Sequence, residues 1–253
     1  MTEFEKQFRE VQELLEFNDF NQTIKRVIDF TLDSENIEFY IKTNEFLNWL
    51  DHNEKEDEDK KTRLKTLLDE LHAFLSKKEC HNHQTIISVK NLQKVYNASF
   101  GLGPINLDIK TGEIIGLVGE NGNGKTTLLR SLCGELHPTA GTINYQFQYD
   151  DLYDLRTKLV YIPQRTDTWR GSMYENLEFT ASCYGYSPEE NNLVVDLVIT
   201  RLGLRKFRNH YWNNLSSGYK MRFELARMLL RKPKILLIDE PLANLDILAQ
   251  QTV

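Results

Sequence analysis

The chain has 253 residues, of which 40% are hydrophobic and 27% charged. This core-forming composition excludes a collagen-like, low-complexity or largely disordered chain. The three cysteines have no repeated spacing, which excludes a disulfide scaffold, and no apolar run reaches the ~18 residues of a membrane span. The acidic opening, MTEFEKQFRE, does not read as a secretory signal, so we expect a cytoplasmic protein.

Charge divides the chain unevenly. Residues 1–84 contain 12 Lys or Arg and 20 Asp or Glu, a net charge of −8, whereas the remainder contains 19 and 17, a net charge of +2. Together these give the total of −6. Binding to nucleic acid needs a basic face, so no nucleic-acid partner is expected, and a boundary is expected near residue 84.

The first third predicts helices. Apolar residues recur at helical spacing in Phe4–Leu15, Ile24–Leu32 and Leu64–Leu75, and the first 100 residues contain no glycine or proline. Ser34 is a predicted N-cap, and the acidic run His52–Lys61 is predicted to be a solvated loop. We expect a separate domain of about four helices over residues 1–79, a linker over 80–85 and a second domain over 86–253.

The second domain is predicted to be α/β. Short apolar runs alternate with glycines and helical stretches, the pattern of strand–loop–helix units around a mixed, mainly parallel sheet. The predicted strands include Ile86–Val89, Ile105–Ile109, Ile114–Val118, Leu159–Ile162 and Ile235–Ile238.

One motif predicts binding of a nucleoside triphosphate. It matches G-x-x-x-x-G-K-[ST] and lies between a predicted strand and a predicted helix. Backbone N–H groups of such a loop surround phosphate oxygens, the lysine reaches the β- and γ-phosphates, and the hydroxyl binds Mg²⁺. The expected binding residues are Gly119, Glu120, Asn121, Gly122, Asn123, Gly124, Lys125, Thr126 and Thr127.

Two acids follow the last predicted strand. Asp239 comes directly after Ile235–Ile238, at the strand end where it can hold Mg²⁺. Glu240 is next and is expected to act as the general base that polarises an attacking water.

With these motifs the sequence resembles the ATP-binding cassette (ABC) ATPases, from about residue 86 to residue 249. The resemblance implies that Tyr96, which lies 23 positions before Gly119, stacks on adenine. It implies that Gln164 contacts Mg²⁺, takes part in catalysis with Lys125 and Glu240, and couples to a transmembrane partner.

The resemblance also implies a dimer. Leu215–Tyr219 reads LSSGY, similar to the family signature LSGGQ, so Ser216, Ser217 and Gly218 would contact ATP bound to the other subunit. Leu242–Asp246 is similar to the loop at the dimer interface.

Two departures from the family pattern stand out. The third and fifth signature positions are Ser217 and Tyr219 instead of Gly and Gln. The family's switch histidine and its preceding strand would lie beyond Val253, so we expect a truncated sequence that binds ATP–Mg²⁺ weakly and hydrolyses it barely above background.

The segment Glu175–Glu190 resembles exporters whose permease is a separate chain. The implied function is the ATP-hydrolysing subunit of an ABC transporter, held on the cytoplasmic face of the plasma membrane by its permease, with export as the direction. The alternatives are a non-transport cassette ATPase of translation or DNA maintenance, and a regulatory module that senses ATP without turnover.

Overall fold

The computed structural model describes residues 3–52, 56–78, 84–97, 100–164 and 168–240. The described residues form two compact units. One comprises residues 3–78 and 168–231, and the other comprises 84–164 and 232–240. Within these ranges, no helix has both the length and the apolar character needed to cross a membrane.

Four helices form the N-terminal segment, as predicted. They are α1 (Glu3–Glu16), α2 (Phe20–Ser34), α3 (Ile37–Asp51) and α4 (Asp57–Leu75). Their boundaries differ from the predicted ones at two points. The N-cap of α3 is Asn36, whose side chain accepts a hydrogen bond from the Glu38 N–H at 2.8 Å. Ser34 instead ends α2 and donates its hydroxyl to the Thr31 carbonyl.

The acidic run is also shorter as a loop than predicted. Helix α4 begins at Asp57, so the second half of the predicted loop is helical. Three acids in the first turn of this helix, Asp57, Glu58 and Asp59, interact favourably with the positive end of the helix dipole. Residues 53–55 lie outside the described ranges.

Three more helices belong to the same compact unit. They are α7 (Met173–Cys183), α8 (Pro188–Arg201) and α9 (Ser217–Leu230). The N-termini of α7 and α8 are fixed by capping boxes, Ser172 with Glu175 and Ser187 with Glu190. A single hydrophobic core runs through all seven helices.

Polar contacts join the N-terminal helices to α8 and the turn after it. The Asn44 amide donates to the Leu193 carbonyl at 3.1 Å, and Arg201 donates to Asp29 at 2.7 Å. Arg205 forms an ion pair with Asp51 at 2.7 Å. Residues 3–52 and 56–78, the described part of the segment expected to be a separate domain, therefore share their core with the helices of 168–231. The change in charge near residue 84 predicted a domain boundary there, but residues 168–231, beyond that boundary, pack with the N-terminal helices.

The other unit contains the strands and two short helices. An antiparallel sheet has the order β2–β1–β3, and a parallel pair joins β4 to β5. The bounds are β1 Thr85–Asn97, β2 Phe100–Lys110, α5 Lys125–Leu132, β3 Ala140–Tyr145, α6 Leu152–Lys158, β4 Leu159–Ile162 and β5 Ile235–Ile238. The α/β class is confirmed, with β4–β5 as the parallel part among the described strands.

One predicted strand, Ile114–Val118, is not formed. The segment belongs to neither sheet, and Ile114 and Val118 are almost fully exposed. A cavity of about 310 Å³ separates residues 115–117 from Leu236–Ile238 of β5. A strand needs a hydrogen-bonded neighbour, and none of the described strands pairs with this segment.

Candidate functional site

The glycine-rich loop leads directly into helix α5. Gly124 precedes the helix with a φ of 84°, which a residue with a side chain adopts only under strain. A Cβ on Gly124 would lie 2.7 Å from Cδ1 of Leu102 on β2, so the Leu102 side chain would have to shift if another residue replaced the glycine. No side chain caps the first turn of α5, and its N–H groups are therefore available to an anion.

Lys125 lies folded over this loop. Its ammonium donates to the carbonyls of Gly119 at 2.7 Å and Glu120 at 3.2 Å. These bonds hold the lysine of the motif at the mouth of the loop. Asn121 and Gly122 are exposed and line the same cavity as Lys125. A phosphate in the loop would offer the ammonium a charged acceptor in place of neutral carbonyls.

Thr126 and Asp239 meet at the end of β5. The Thr126 hydroxyl donates to Oδ2 of Asp239 at 2.7 Å, although 113 positions separate the two residues. The parallel pairing of β4 with β5 continues past the strand end, since the Asp239 N–H donates to the Ile162 carbonyl at 3.0 Å. Asp239 is 4% exposed, so a hydroxyl-bonded carboxylate is buried beside the glycine-rich loop.

Tyr161 is a third member of this group that sequence reasoning missed. Its hydroxyl donates to the same Oδ2 of Asp239 at 3.0 Å. Burial, and then the bond to Asp239, raise the pKa of Tyr161 above its usual value, so the phenol stays protonated and remains a donor. The alternation of side chains along a strand could have identified Tyr161. Tyr161 pairs with Leu237 of β5, and Asp239, two residues after Leu237, lies on the same face.

Gln164 and Glu240 form a second contact at the same edge. The Gln164 amide donates to Oε2 of Glu240 at 2.7 Å. Glu240 has a φ of 49°, an unusual backbone conformation for a residue with a side chain. Glu240 also lines the cavity over the glycine-rich loop.

These residues surround one cavity of about 270 Å³. Its walls are Phe100, Asn121, Gly122, Gly124, Lys125, Thr126, Thr127, Gln164 and Glu240. Tyr96, the expected adenine-stacking residue, lies beside this cavity, with its hydroxyl 3.4 Å from Thr127 Oγ1 and its ring 5.6 Å from that of Phe100. The structure thus brings the predicted loop, both acids and Gln164 together.

The signature residues lie in the helical unit. Ser216 is the N-cap of α9, and Ser217 is the first helical residue with an ordinary negative φ, so its side chain causes no backbone strain. Tyr219 packs on Phe207 with ring centroids 3.9 Å apart, and the Arg222 guanidinium lies 5.4 Å from the centre of the Tyr219 ring. Both departures from the family signature are therefore accommodated by local packing. The expected interface loop Leu242–Asp246 lies outside the described residues.

The described residues supply an oxygen-rich set suited to Mg²⁺. The Thr126 hydroxyl, the Asp239 carboxylate and the Gln164 amide are the hard ligands that this ion prefers. The buried Asp239 carboxylate accepts the hydrogen bonds of Thr126 and Tyr161 on Oδ2, and a cation beside it would compensate the charge. The residues present fit the metal.

Comparison with known proteins agrees with this geometry. Residues 102–243 match the family model described as ABC transporter. Over 172 residues the chain is 36% identical to the methionine import ATP-binding protein MetN 1 of Acinetobacter baylyi, covering 63% of this chain and 48% of that protein. Over 185 residues it is 30% identical to the probable multidrug ABC transporter ATP-binding protein YbhF of Escherichia coli, covering 72% and 32%.

The structure of cbiO1 from Clostridium perfringens, part of the ABC transporter complex cbiONQ, is also similar. The TM-score is 0.58 at 30% identity, covering 66% of this chain and 70% of that chain. The fold and the loop with its two acids define a P-loop ATPase cassette, and the chain belongs to the ABC transporter family of ATP-binding proteins. It spans about a third to a half of the length of these two curated relatives.

Proposed function

We propose that this chain binds ATP in the cavity over residues 119–126 and hydrolyses it as the ATP-binding subunit of an ABC transporter. The observation that carries the proposal is the convergence of Thr126 with Asp239 and of Gln164 with Glu240 around one loop. The free N–H groups at the start of α5 and the ammonium of Lys125 would bind the triphosphate.

Thr126, Asp239 and Gln164 would hold Mg²⁺. When bound, the ion supplies charge neutralisation of the phosphate oxygens. Tyr161 keeps the Asp239 carboxylate oriented through its hydroxyl, and Lys125 leaves the carbonyls of Gly119 and Glu120 to reach the phosphates. Each of these roles requires only a side-chain rearrangement within one unit.

Glu240 would accept the proton of the attacking water. Its carboxylate borders the cavity, and the hydrogen bond that Oε2 accepts from the Gln164 amide orients it. Ser216, Ser217 and Gly218 would contact ATP bound to a second cassette, and this supports a dimer as the active form.

Transport is the role that the relatives favour, with the ATPase at the cytoplasmic face and a permease as partner. Relatives named for import of methionine, sulfate and iron stand beside one named for multidrug transport. The sequence favoured export, but the names of these relatives do not support that direction. The permease would determine the direction of transport.

The test is binding and turnover by the purified chain. ATP with Mg²⁺ should bind, and Asp239→Asn should weaken the binding of ATP more when Mg²⁺ is present than when it is chelated. The exposed Asp108→Asn on β2 is the matched control. Co-purification of the protein with a membrane permease would support transport, whereas binding of ATP without turnover or permease would support a regulatory module.

A further inference from the structure

Glu224 is a buried carboxylate in the helical unit that the proposed hydrolysis does not use. It lies on α9, about two turns after Ser217, with 1% of its surface exposed. Its Oε1 accepts a hydrogen bond from the Trp169 indole at 2.8 Å, and its Oε2 forms an ion pair with Arg227 at 2.7 Å. Both carboxylate oxygens are therefore engaged inside the protein.

A buried ion pair is weak support for stability by itself. Removal of the charges from water costs free energy, and apolar side chains of similar volume often stabilise a core equally well. Phe223 and Ala226, which lie close to Glu224 in α9, are such apolar residues and are fully buried. The hydrogen bond from Trp169 to Glu224 is directional, so its effect is to fix where these two side chains lie.

Trp169 contacts both sides of the signature turn, residues 213–218. Its ring stacks on that of Trp212, with centroids 5.1 Å apart and an angle of 18°. Trp212 directly precedes the turn, whereas Glu224 is on the helix that follows it. One side chain from another segment therefore bridges the chain that enters the turn and the helix that leaves it.

Backbone hydrogen bonds extend this contact. The Met173 N–H donates to the His210 carbonyl at 3.0 Å, and the Tyr174 N–H donates to the Arg208 carbonyl at 2.9 Å. The chain that follows Trp169 thus runs beside the chain that leads to the signature turn.

The signature turn is not fixed by a side-chain cap. Ser216 is the N-cap of α9, but its side chain makes no capping hydrogen bond, and Ser216 and Ser217 are both exposed. A capping side chain normally fixes the start of a helix. The position of this turn therefore depends on the contacts at its two sides.

We propose that Trp169, held by Glu224 and stacked on Trp212, is a positioning residue that places the signature turn for contact with nucleotide on a second cassette. The inference rests on the proposed function, in which residues 216–218 make that contact. The N–H groups at the start of a helix bind an anion only when they point at it. Displacement of the turn by a fraction of its own width would therefore weaken the contact between two cassettes.

The polar pair can be replaced while the core stays filled. Trp169→Phe with Glu224→Leu removes the donor and the acceptor together and leaves an aromatic ring beside an apolar side chain, so most of the stability should be retained. Trp169→Phe alone provides the same comparison if the double variant does not fold. Glu224→Gln keeps a carbonyl that accepts the indole hydrogen bond. Thr43→Val, which removes a buried hydrogen bond to Thr31 in the same unit, is the matched control.

Two measurements report on the turn, and a third reports on the glycine-rich loop. Hydrogen exchange of the Leu215 and Lys220 amides, which donate to the Trp212 and Ser216 carbonyls, follows local opening of the turn. Sedimentation with and without ATP–Mg²⁺ measures the nucleotide-dependent association of two chains. Titration with a fluorescent ATP analogue at low protein concentration measures the affinity of the loop in a single chain.

We expect the double variant to exchange these two amides about tenfold faster and to associate about tenfold more weakly with ATP present. Its affinity for the ATP analogue should be unchanged, because neither residue lies at the glycine-rich loop. Glu224→Gln and Thr43→Val should match the unsubstituted chain in all three measurements.

Unchanged exchange or unchanged association in the double variant overturns the inference. Faster exchange throughout the helical unit also overturns it, because that result indicates a structural role alone, and so does an equal loss in Glu224→Gln. If the unsubstituted chain binds the ATP analogue without associating, the inference and the proposed dimer are wrong while nucleotide binding stands. If it binds no nucleotide, the proposed function itself is wrong.

Discussion

Arg201 at the end of α8 donates from Nε to Oδ1 of Asp29 in α2 across 2.7 Å, although 172 positions of sequence separate them. Both side chains are largely buried, with 22% and 30% of their surfaces exposed. The contact joins the N-terminal helices to the helices of 168–231 within one compact unit.

This ion pair should contribute to stability. In a double-mutant cycle with Arg201→Ala and Asp29→Ala, we expect a coupling free energy of about 1 kcal/mol, measured by urea unfolding. The exposed pair Lys42–Glu70, which lies within the N-terminal helices, should give less than about 0.5 kcal/mol. Equal couplings for the two pairs would contradict the joint packing of the two segments.

Replacement of Lys125 should impair nucleotide binding. Lys125→Ala removes the cation at the mouth of the loop, and loss of a charge-assisted contact should weaken ATP binding by about 10- to 100-fold. Titration with a fluorescent ATP analogue measures the effect. Lys110→Ala, at the exposed end of β2, controls for a general change of charge and should bind as tightly as the unsubstituted chain.

Glu240→Gln should separate binding from hydrolysis. The amide carbonyl still accepts the hydrogen bond from Gln164, so the local structure and the affinity for ATP should persist. It cannot accept a proton, so the phosphate release that the chain catalyses should fall to the uncatalysed background. Undiminished phosphate release would place the general base at another residue.

Substitution of two isoleucines tests whether the segment Ile114–Val118 is exposed or forms the buried strand that the sequence predicted. Ile114 is fully exposed, whereas Ile162 of β4 is fully buried. Ile114→Ala should change the free energy of unfolding by less than about 0.5 kcal/mol, and Ile162→Ala should lower it by about 2–4 kcal/mol, as denaturant titrations would show. A cost above about 1.5 kcal/mol at Ile114 would mean that this residue is buried, as the sequence predicted.

The local parts of the site could be predicted from the sequence. The glycine-rich loop, its lysine and the acids after β5 depend on short-range chemistry, and β4 and β5 have the predicted bounds. The failures concern long-range partners. Ile114–Val118 has the composition of a buried strand, but strand formation depends on a neighbour that its own residues do not specify.

Helix α8 contained a signal that domain prediction overlooked. Five apolar residues within Val194–Ile199 are buried, with only Asp196 between them, so the helix is apolar on nearly every side. A helix of that kind lies inside a protein and contacts other elements all round. Its neighbours are α2 and α3 as well as α7 and α9, which a boundary drawn from charge near residue 84 could not reveal.

The enclosure of α8 has a consequence for any shortened form of the chain. Without the first four helices, the side of α8 that packs on α2 and α3 would face water. A product shortened in this way would present an apolar surface and would be prone to self-association.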